Sequence, residues 1–282
     1  MTAPTLFKTT DAKISVYLDG PLWSGERTAA LGQFSCKTKE AGAEVLTSAL
    51  DFIRSKNIRR VIGPMDGDTW HSYRFVTETD DSPTFMLEPS NPQTNVDVFV
   101  DAGFQSVSDY FSARVALKDT ATTAPPPSED LYVEQWDGED PEELFQQVYG
   151  LSIAAFEKNA FYKPVSLDVF LQMYMPVLPV LKKELIFFAR TSAGRLAGFL
   201  FAIPNYNEGP APKTVILKTY ASLHKGAGQM LAHAFHETAR ELGYETAVHA
   251  LIHNDNLSAV RSAAEGAEIF RRYTLFGLEL DG

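Results

Sequence analysis

"LKTYASLHKGAGQMLAHAFHETARELG", residues 217–243, reads as a strand, a tight glycine turn and a helix. Gly226 and Gly228 stand at the junction, with Lys225 before them. The N–H groups of a first helical turn are unpaired and lie at the positive end of the helix dipole. Glycine there allows positive φ and close approach of the backbone to a bound group. The junction is therefore either a plain turn or a cradle for an anion. Along the helix, 228–242, Met230, Leu231, Ala234, Phe235, Thr238 and Leu242 recur at helical spacing. That spacing leaves His233, His236, Glu237, Arg240 and Glu241 on the wet face, and Gly243 ends the helix.

The neighbouring sequence extends this unit in both directions. "LYVEQW" (131–136) alternates like a strand. "DPEELFQQVYGLSIAAFE" opens a helix with Asp140 as N-cap, Pro141 at the first helical position and acids in the first turn. "SLDVFLQMYMPVLPVL" is a second helix, broken near Pro176. "LIFFARTSAGRLAGFLFAIPN" reads as a hairpin turning at Ser192-Ala193-Gly194. "ETAVHALIH" is the strand after the glycine-turn helix; "LSAVRSAAEGAEIFRR" is a helix and "YTLFGLEL" a last strand. The order mixes hairpin pairing with a parallel crossover, which predicts an α+β fold around a mixed sheet.

"KDTATTAPPPSED" (118–130) is a stiff, extended linker. It divides the chain into residues 1–118, a Pro-rich linker 119–130, and residues 131–282. The first part repeats the later half of the second in pattern. "AKISVYLDG" and "TAALGQFSC" are strands, and "AGAEVLTSALDFIRSKN" (41–57) is a helix with Val45, Leu46, Ala49, Leu50 and Ile53 as its stripe. A strand "IRRVIGPM", a helix "PQTNVDVFVDAGF" ending at Gly103 and a strand "QSVSDYFSARVAL" follow. The first copy lacks its opening strand and helices.

Composition narrows the function. At 45% hydrophobic, the 282-residue chain can bury a core. A single cysteine, Cys36, excludes an internal disulfide framework and a cysteine-rich zinc site. The net charge of −11 weighs against nucleic acid as partner. The most apolar run, "LAGFLFAIP", is far too short for a membrane span, and "MTAPTLFKTTDAK" lacks a signal-peptide core. The expected location is a reducing cytoplasm.

Metal motifs fail on inspection. "HETAR" (236–240) has Arg240 where a metalloprotease helix needs its second histidine. His249 and His253, four apart on a strand, stand roughly 13 Å apart and cannot share one ion. "GPMDGDTWHSYR" (63–74) has no bidentate Glu at the EF-hand spacing. It does gather Asp66, Asp68, Trp70, His71 and Arg74, either as a turn around Asp66-Gly67 or as a substrate-facing wall. The glycine turn itself is no P-loop, because Lys225 precedes the glycines. It is no dinucleotide fingerprint either, because Leu231 stands at the third glycine position.

"LHKGAG" (223–228) between strand and helix resembles the pyrophosphate loop of the GNAT acyltransferases, Gln/Arg-x-x-Gly-x-Gly/Ala, with both glycines matched and Leu223 in place of Gln/Arg. "LKTYAS", "VHALIHNDNLS" and "RRVIGPMDGDTWHSYR" extend the resemblance over nearly the whole chain, to a subgroup with two GNAT-like halves. The resemblance implies two GNAT-like units in tandem, the first truncated. It implies a sheet that splays between its fourth and fifth strands, where the pantetheine of acetyl-CoA or another acyl-CoA pairs with Thr219, Tyr220 and Ala221. It places the pyrophosphate on the amides of Lys225, Gly226, Ala227, Gly228 and Gln229, and a pantetheine contact at Asn256, in "N-x-x-A" with Ala259. In the first copy the matching turn, "EAGAE", has Gly42 alone, so that copy serves as scaffold or substrate wall. The family's usual acid, a helix tyrosine, is absent: its place falls at Ser262-Ala263. Tyr220 and Tyr273 are substitutes by proximity, and His253 is a candidate base.

The expectation is an acyl-CoA-dependent N-acyltransferase acting on an amine of a small molecule, without metal, nucleic acid or membrane partner. A non-catalytic acyl-CoA-binding protein and an aminoacyl transferase of the Fem type, also built from two GNAT-like halves, are the competing readings.

Overall fold

The closing strands of the two halves change places. A computed structural model describes residues 3–126 and 128–281; Pro127 of the linker lies outside them. The first half runs β1 (Thr5–Lys8), β2 (Ala12–Tyr17), β3 (Thr28–Cys36), α1 (Lys39–Ser55), β4 (Arg60–Gly63), β5 (Phe75–Thr79), α2 (Gln93–Asp101) and β6 (Gln105–Ala116). The second runs β7 (Leu131–Gln135), α3 (Pro141–Phe156), α4 (Leu167–Tyr174), β8 (Ile186–Thr191), β9 (Leu196–Pro204), β10 (Thr214–Ser222), α5 (Ala227–Glu241), β11 (Thr246–His253), α6 (Leu257–Ala264) and β12 (Glu268–Glu279). Among the described residues, twelve strands form one mixed sheet in the order β1-β2-β3-β4-β12-β6-β11-β10-β9-β8-β7, with β5 also on β12. β6 leaves the first half to pair antiparallel with β11, and β12 leaves the second to pair with β4 and β5. The two exchanged strands also pair with each other. Neither half therefore closes its own sheet, and the buried Phe111, Val115, Tyr273 and Leu275 belong to the seam.

Local chemistry explains the helices. Thr38 caps α1 by accepting from the Ala41 N–H at 3.2 Å, and Ser166 caps α4 through the Val169 N–H at 3.4 Å. Val45, Leu46, Ala49, Leu50 and Ile53 bury the predicted face of α1 against β2 and β3. Helices α1 and α2 cover one face of the first half, α5 covers β8–β10, and α3 with α4 covers the opposite face of the second half. At about 1.5–3 kcal/mol for each large apolar side chain fully buried, these layers dominate stability.

Four expectations change; residues 268–272, read as the end of the last helix, instead open β12, because α6 stops at Ala264. Asp140 stands at the N-cap of α3 but makes no side-chain capping bond, and its φ is +44°. The buried stripe of α5 is Ala227, Gly228, Leu231, Phe235, His236 and Ala239, while Leu242 is exposed. His236 is thus buried, not on the wet face. Small residues let the helix lie close on β9: a Cβ on Gly198 would come within 3.1 Å of Leu231. That approach rotates the stripe toward Ala227 and Ala239, and a buried bond to His249 accommodates the imidazole. Strands β1 and β5 carried no sequence signal; both are short and mostly exposed or half-buried.

Candidate active site

β10 and β11 pair in parallel only from Thr214↔Thr246 to Leu217↔His249. Both strands continue, to Ser222 and His253, without further pairing between them. They separate at an irregularity on each side: β10 shifts register against β9 between Leu217 and Thr219, and β11 shifts against β6 between His249 and Ile252. The split opens a cleft of about 1310 Å³ that reaches both faces of the sheet. One wall carries Lys225, Gly226, Gln229, His236, Asn256 and Arg261; the other carries Trp70, His71, Arg74, Phe145, Phe170 and Tyr174.

The equivalent split in the first half is closed. β3 and β4 pair from Thr28↔Arg60 to Ala30↔Ile62, and the Met65 N–H then donates to Leu31 O at 2.6 Å. Asp66 accepts from the Gln33 N–H at 2.8 Å. A Cβ on Gly32 would meet Met65 O at 2.6 Å, so the Pro64–Asp66 segment fills the space.

At the glycine turn, Gly226 has φ +88° and caps α5. The Ala227 N–H donates to His224 O at 3.2 Å and the Gln229 N–H to Gly226 O at 3.0 Å. Those two amides are consumed inside the turn, which corrects the expectation that all five from Lys225 to Gln229 are available. The N–H groups of Lys225, Gly226 and Gly228 have no partner among the described residues. Ala227 itself is core, as is Ala221, which packs toward α3. Arg261 of α6, which no sequence motif singles out, lies over this turn: its guanidinium donates to the Tyr220 hydroxyl. A Cβ on Gly228 would stand 2.5 Å from Arg261 Nη1. Asn256 stands at the N-cap of α6 without a side-chain capping bond among the described residues, and it borders the cleft.

These features fit a CoA-type group. Unpaired N–H groups at a helix start and a guanidinium suit a diphosphate. The unpaired edge of β10 from Thr219 to Ala221 suits an amide-bearing arm. Among the described residues, no group of three His, Cys, Asp or Glu could hold a metal ion.

The structure separates the predicted catalytic residues. Tyr273 is fully buried, and its hydroxyl bonds Glu88 and, at 2.9 Å, Ser112. It does not border the cleft, so its role as acid is corrected: strand exchange has carried it into the seam. His253 borders the cleft, but Nδ1 accepts from the Asp255 N–H at 3.1 Å and Nε2 lies 3.1 Å from Ser108 Oγ. With Nδ1 an acceptor, Nε2 carries the proton, and no lone pair remains for base catalysis. Burial lowers its pKa. The Tyr220 hydroxyl donates to Gly228 O at 3.0 Å, tying β10 to α5.

The substrate wall divides as well. Asp66 is withdrawn into the closed first-half split, and Asp68 is buried behind the surface. Trp70, His71 and Arg74 border the cleft. Trp70 donates through Nε1 to Lys163 O at 2.9 Å and packs edge-on against Phe156, Tyr162 and Phe170, wedging the first half into the α3–α4 layer. Asp68 Oδ1 accepts from the Trp70 and His71 N–H groups and lies 2.8 Å from His71 Nδ1. That hydrogen bond raises the His71 pKa, against the effect of burial. Nε2 of His71 has no partner among the described residues and faces the cleft.

Behind the other wall, His249 Nδ1 lies 2.8 Å from Ser262 Oγ, and its Nε2 lies 3.1 Å from His236 Nε2. The chain of bonds joins α5, β11 and α6 around the split, and burial lowers both imidazole pKa values.

No family model matches this chain, and no curated protein matches it. Solved structures do match. A tandem GNAT protein from the clavulanic acid biosynthesis pathway is 14% identical, covers 100% of this chain and 85% of its own, and superposes with a TM-score of 0.58. A GCN5-related N-acetyltransferase from Sphaerobacter thermophilus is 12% identical over 96% of this chain and 78% of its own, with a TM-score of 0.57. A probable N-acyltransferase from Enterococcus faecalis is 8% identical over 96% of this chain and 59% of its own, also at 0.57. Identities this low speak for the fold alone. That fold is the GNAT type of the acyltransferases. Within it, this chain has the tandem arrangement, and its open split lies in the second unit.

Proposed function

We propose that the chain is an acyl-CoA-dependent N-acyltransferase, with acetyl-CoA or another acyl-CoA as donor and an amine of a small molecule as acceptor. One observation carries this reading: the β10–β11 split opens beside Arg261 and three N–H groups that have no partner among the described residues, and runs through to a cleft walled by the other half. Lys225, Gly226, Gly228 and Arg261 would hold the diphosphate; Thr219, Tyr220 and Asn256 would hold the pantetheine arm. Bound there, the donor supplies a thioester carbonyl. The first half, its own split filled, acts as scaffold and as the acceptor wall.

His71 is the base in this reading. Asp68 fixes the tautomer with the proton on Nδ1, so Nε2 presents its lone pair to the cleft. It takes the amine proton as the C–N bond forms and the C–S bond breaks, and Asp68 stabilises the resulting imidazolium. The half-buried Trp70 and the α3–α4 aromatics packed against it exclude water from the acceptor side.

One observation favours a donor-binding protein without turnover: the hydroxyls of Tyr220 and Tyr273 are both committed within the fold. Incubation of the protein with acetyl-CoA and a panel of amines, with thiol release followed, separates the readings. Amine-dependent thiol that is lost in His71→Gln supports the enzyme. Donor binding without thiol release supports the binding protein. An aminoacyl transferase of the Fem type would instead require charged tRNA.

A further inference from the structure

Two cations, Arg74 and Lys218, border the acceptor side of the cleft, and neither makes an ion pair among the described residues. Arg74 is buried, 8% exposed, and its guanidinium lies between the rings of Tyr73 and Tyr110 at 3.9 and 4.1 Å. Its Nη1 reaches Leu251 O at a long 3.4 Å, and its Nε has no partner. Lys218 lies at the register shift of β10, where the strand leaves β11, and makes no hydrogen bond or ion pair among the described residues. Both side chains border the cleft. Burial, with the Arg74 charge beside it, lowers the Lys218 pKa to about 8 against a weaker opposing pull from Glu88.

Glu88 borders the same space but is already matched. Its carboxylate accepts from Arg271 Nη1 at 3.3 Å, from the Phe85 N–H at 3.1 Å and from the Tyr273 hydroxyl. Burial lowers the His253 pKa. Glu88, the carboxylate whose charge acts on Lys218, is therefore already held by a third cation, Arg271, and neither Arg74 nor Lys218 is paired among the described residues. Uncompensated buried charge is costly, and a stacked guanidinium with an unfilled donor is built to receive an anion. Apolar and aromatic side chains border the same space, among them Phe145, Phe170, Phe199 and Phe201.

We propose that Arg74 and Lys218 form a carboxylate subsite, so that the acceptor is an amine that also bears a carboxylate and an apolar or aromatic body, as in an aromatic amino acid. This inference rests on the acyltransferase reading for the word acceptor, but the anion subsite stands on its own residues. The carboxylate would take a bidentate pair from Arg74 and the Lys218 ammonium, with the apolar body against Phe145 and Phe170.

The test needs no turnover. The thermal midpoint of the full-length protein is measured with 3-phenylpropionate, with its neutral amide 3-phenylpropanamide, and separately with acetyl-CoA. The expected result is a rise with the carboxylate and little or none with the amide. Lys218→Met should abolish that preference, with about tenfold or greater loss of affinity for the carboxylate, while keeping the acetyl-CoA shift. Arg74→Gln should do the same if it folds; Lys218→Met decides the matter if it does not. Equal shifts for both probes, no shift with either, or a preference that survives in Lys218→Met would overturn the subsite. A missing acetyl-CoA shift beside a preserved carboxylate preference would instead overturn the acyltransferase reading and leave the subsite standing.

Discussion

Asp68 Oδ1 lies 2.8 Å from His71 Nδ1, with the carboxylate buried and the imidazole at the cleft surface. A dyad of this kind fixes which nitrogen is free. Because the Asp68 bond raises the His71 pKa, the base form develops above the ordinary histidine value. Acyl transfer should therefore rise with pH along a limb above about pH 6.5. His71→Gln should reduce kcat/KM by about 10²- to 10⁴-fold. Asp68→Asn should move the limb to lower pH and lower its plateau. The rate of thiol release across pH measures both, and a limb unmoved in Asp68→Asn would remove the dyad from the mechanism.

The donor cradle makes a second prediction. Gly228 has no room for a side chain beside Arg261 and Tyr220. Acetyl-CoA at about 100 times its Kd should stabilise the wild type by roughly 2.7 kcal/mol, a midpoint rise of a few degrees. Gly228→Trp should lose that rise, and Arg261→Met should weaken donor binding about tenfold by removing a charge-assisted contact. Calorimetric titration of the folded variants provides the check; full donor affinity in both would place the diphosphate elsewhere.

Buried histidines set the acid limit. Burial lowers the pKa of His236 and His249 in the folded state, the first also through the charges of its neighbours. The unfolded chain takes up those protons below about pH 6.5. It then binds more protons than the native state, so stability present at neutral pH is lost as pH falls. The slope is at most about 1.4 kcal/mol per pH unit for each ring. Urea melts at about pH 7 and about pH 5.5 should show a smaller loss in His249→Gln than in the wild type. An equal loss in both would mean that His249 is not the group being titrated.

Strand exchange should make the halves unfold together. Leu275, fully buried on β12, pairs with Ser108 of β6 and packs in one cluster with Ile62 and Tyr110 of the other half. Leu275→Ala should cost about 2–5 kcal/mol and lower one shared calorimetric transition. A fragment of residues 131–282 would leave β11 without its β6 neighbour and should fail to fold as a soluble monomer. Two separate transitions in the wild type would contradict this coupling.

Much of the unit was legible locally. The hairpin turn at Gly194, the breaks at Gly226 and Gly243 and the helix start at Ser166 follow from short-range chemistry. His236 was misread because periodicity treats a polar letter as wet, and its partner His249 is thirteen residues away on another element. Arg261 and Lys218 carried no motif: one gains meaning from the glycine turn it covers, the other from the point where two strands part.

The sequence by itself determined the element order apart from β1 and β5, the glycine turn, the truncated first copy and the tandem plan, because periodicity, caps and turn residues act over a few positions. Only the tertiary structure decided which split is open, which tyrosine is buried in the seam and which residues of the first half face the second. Those outcomes depend on β6 and β12 crossing between halves, and pairing between strands more than a hundred residues apart leaves no local signature.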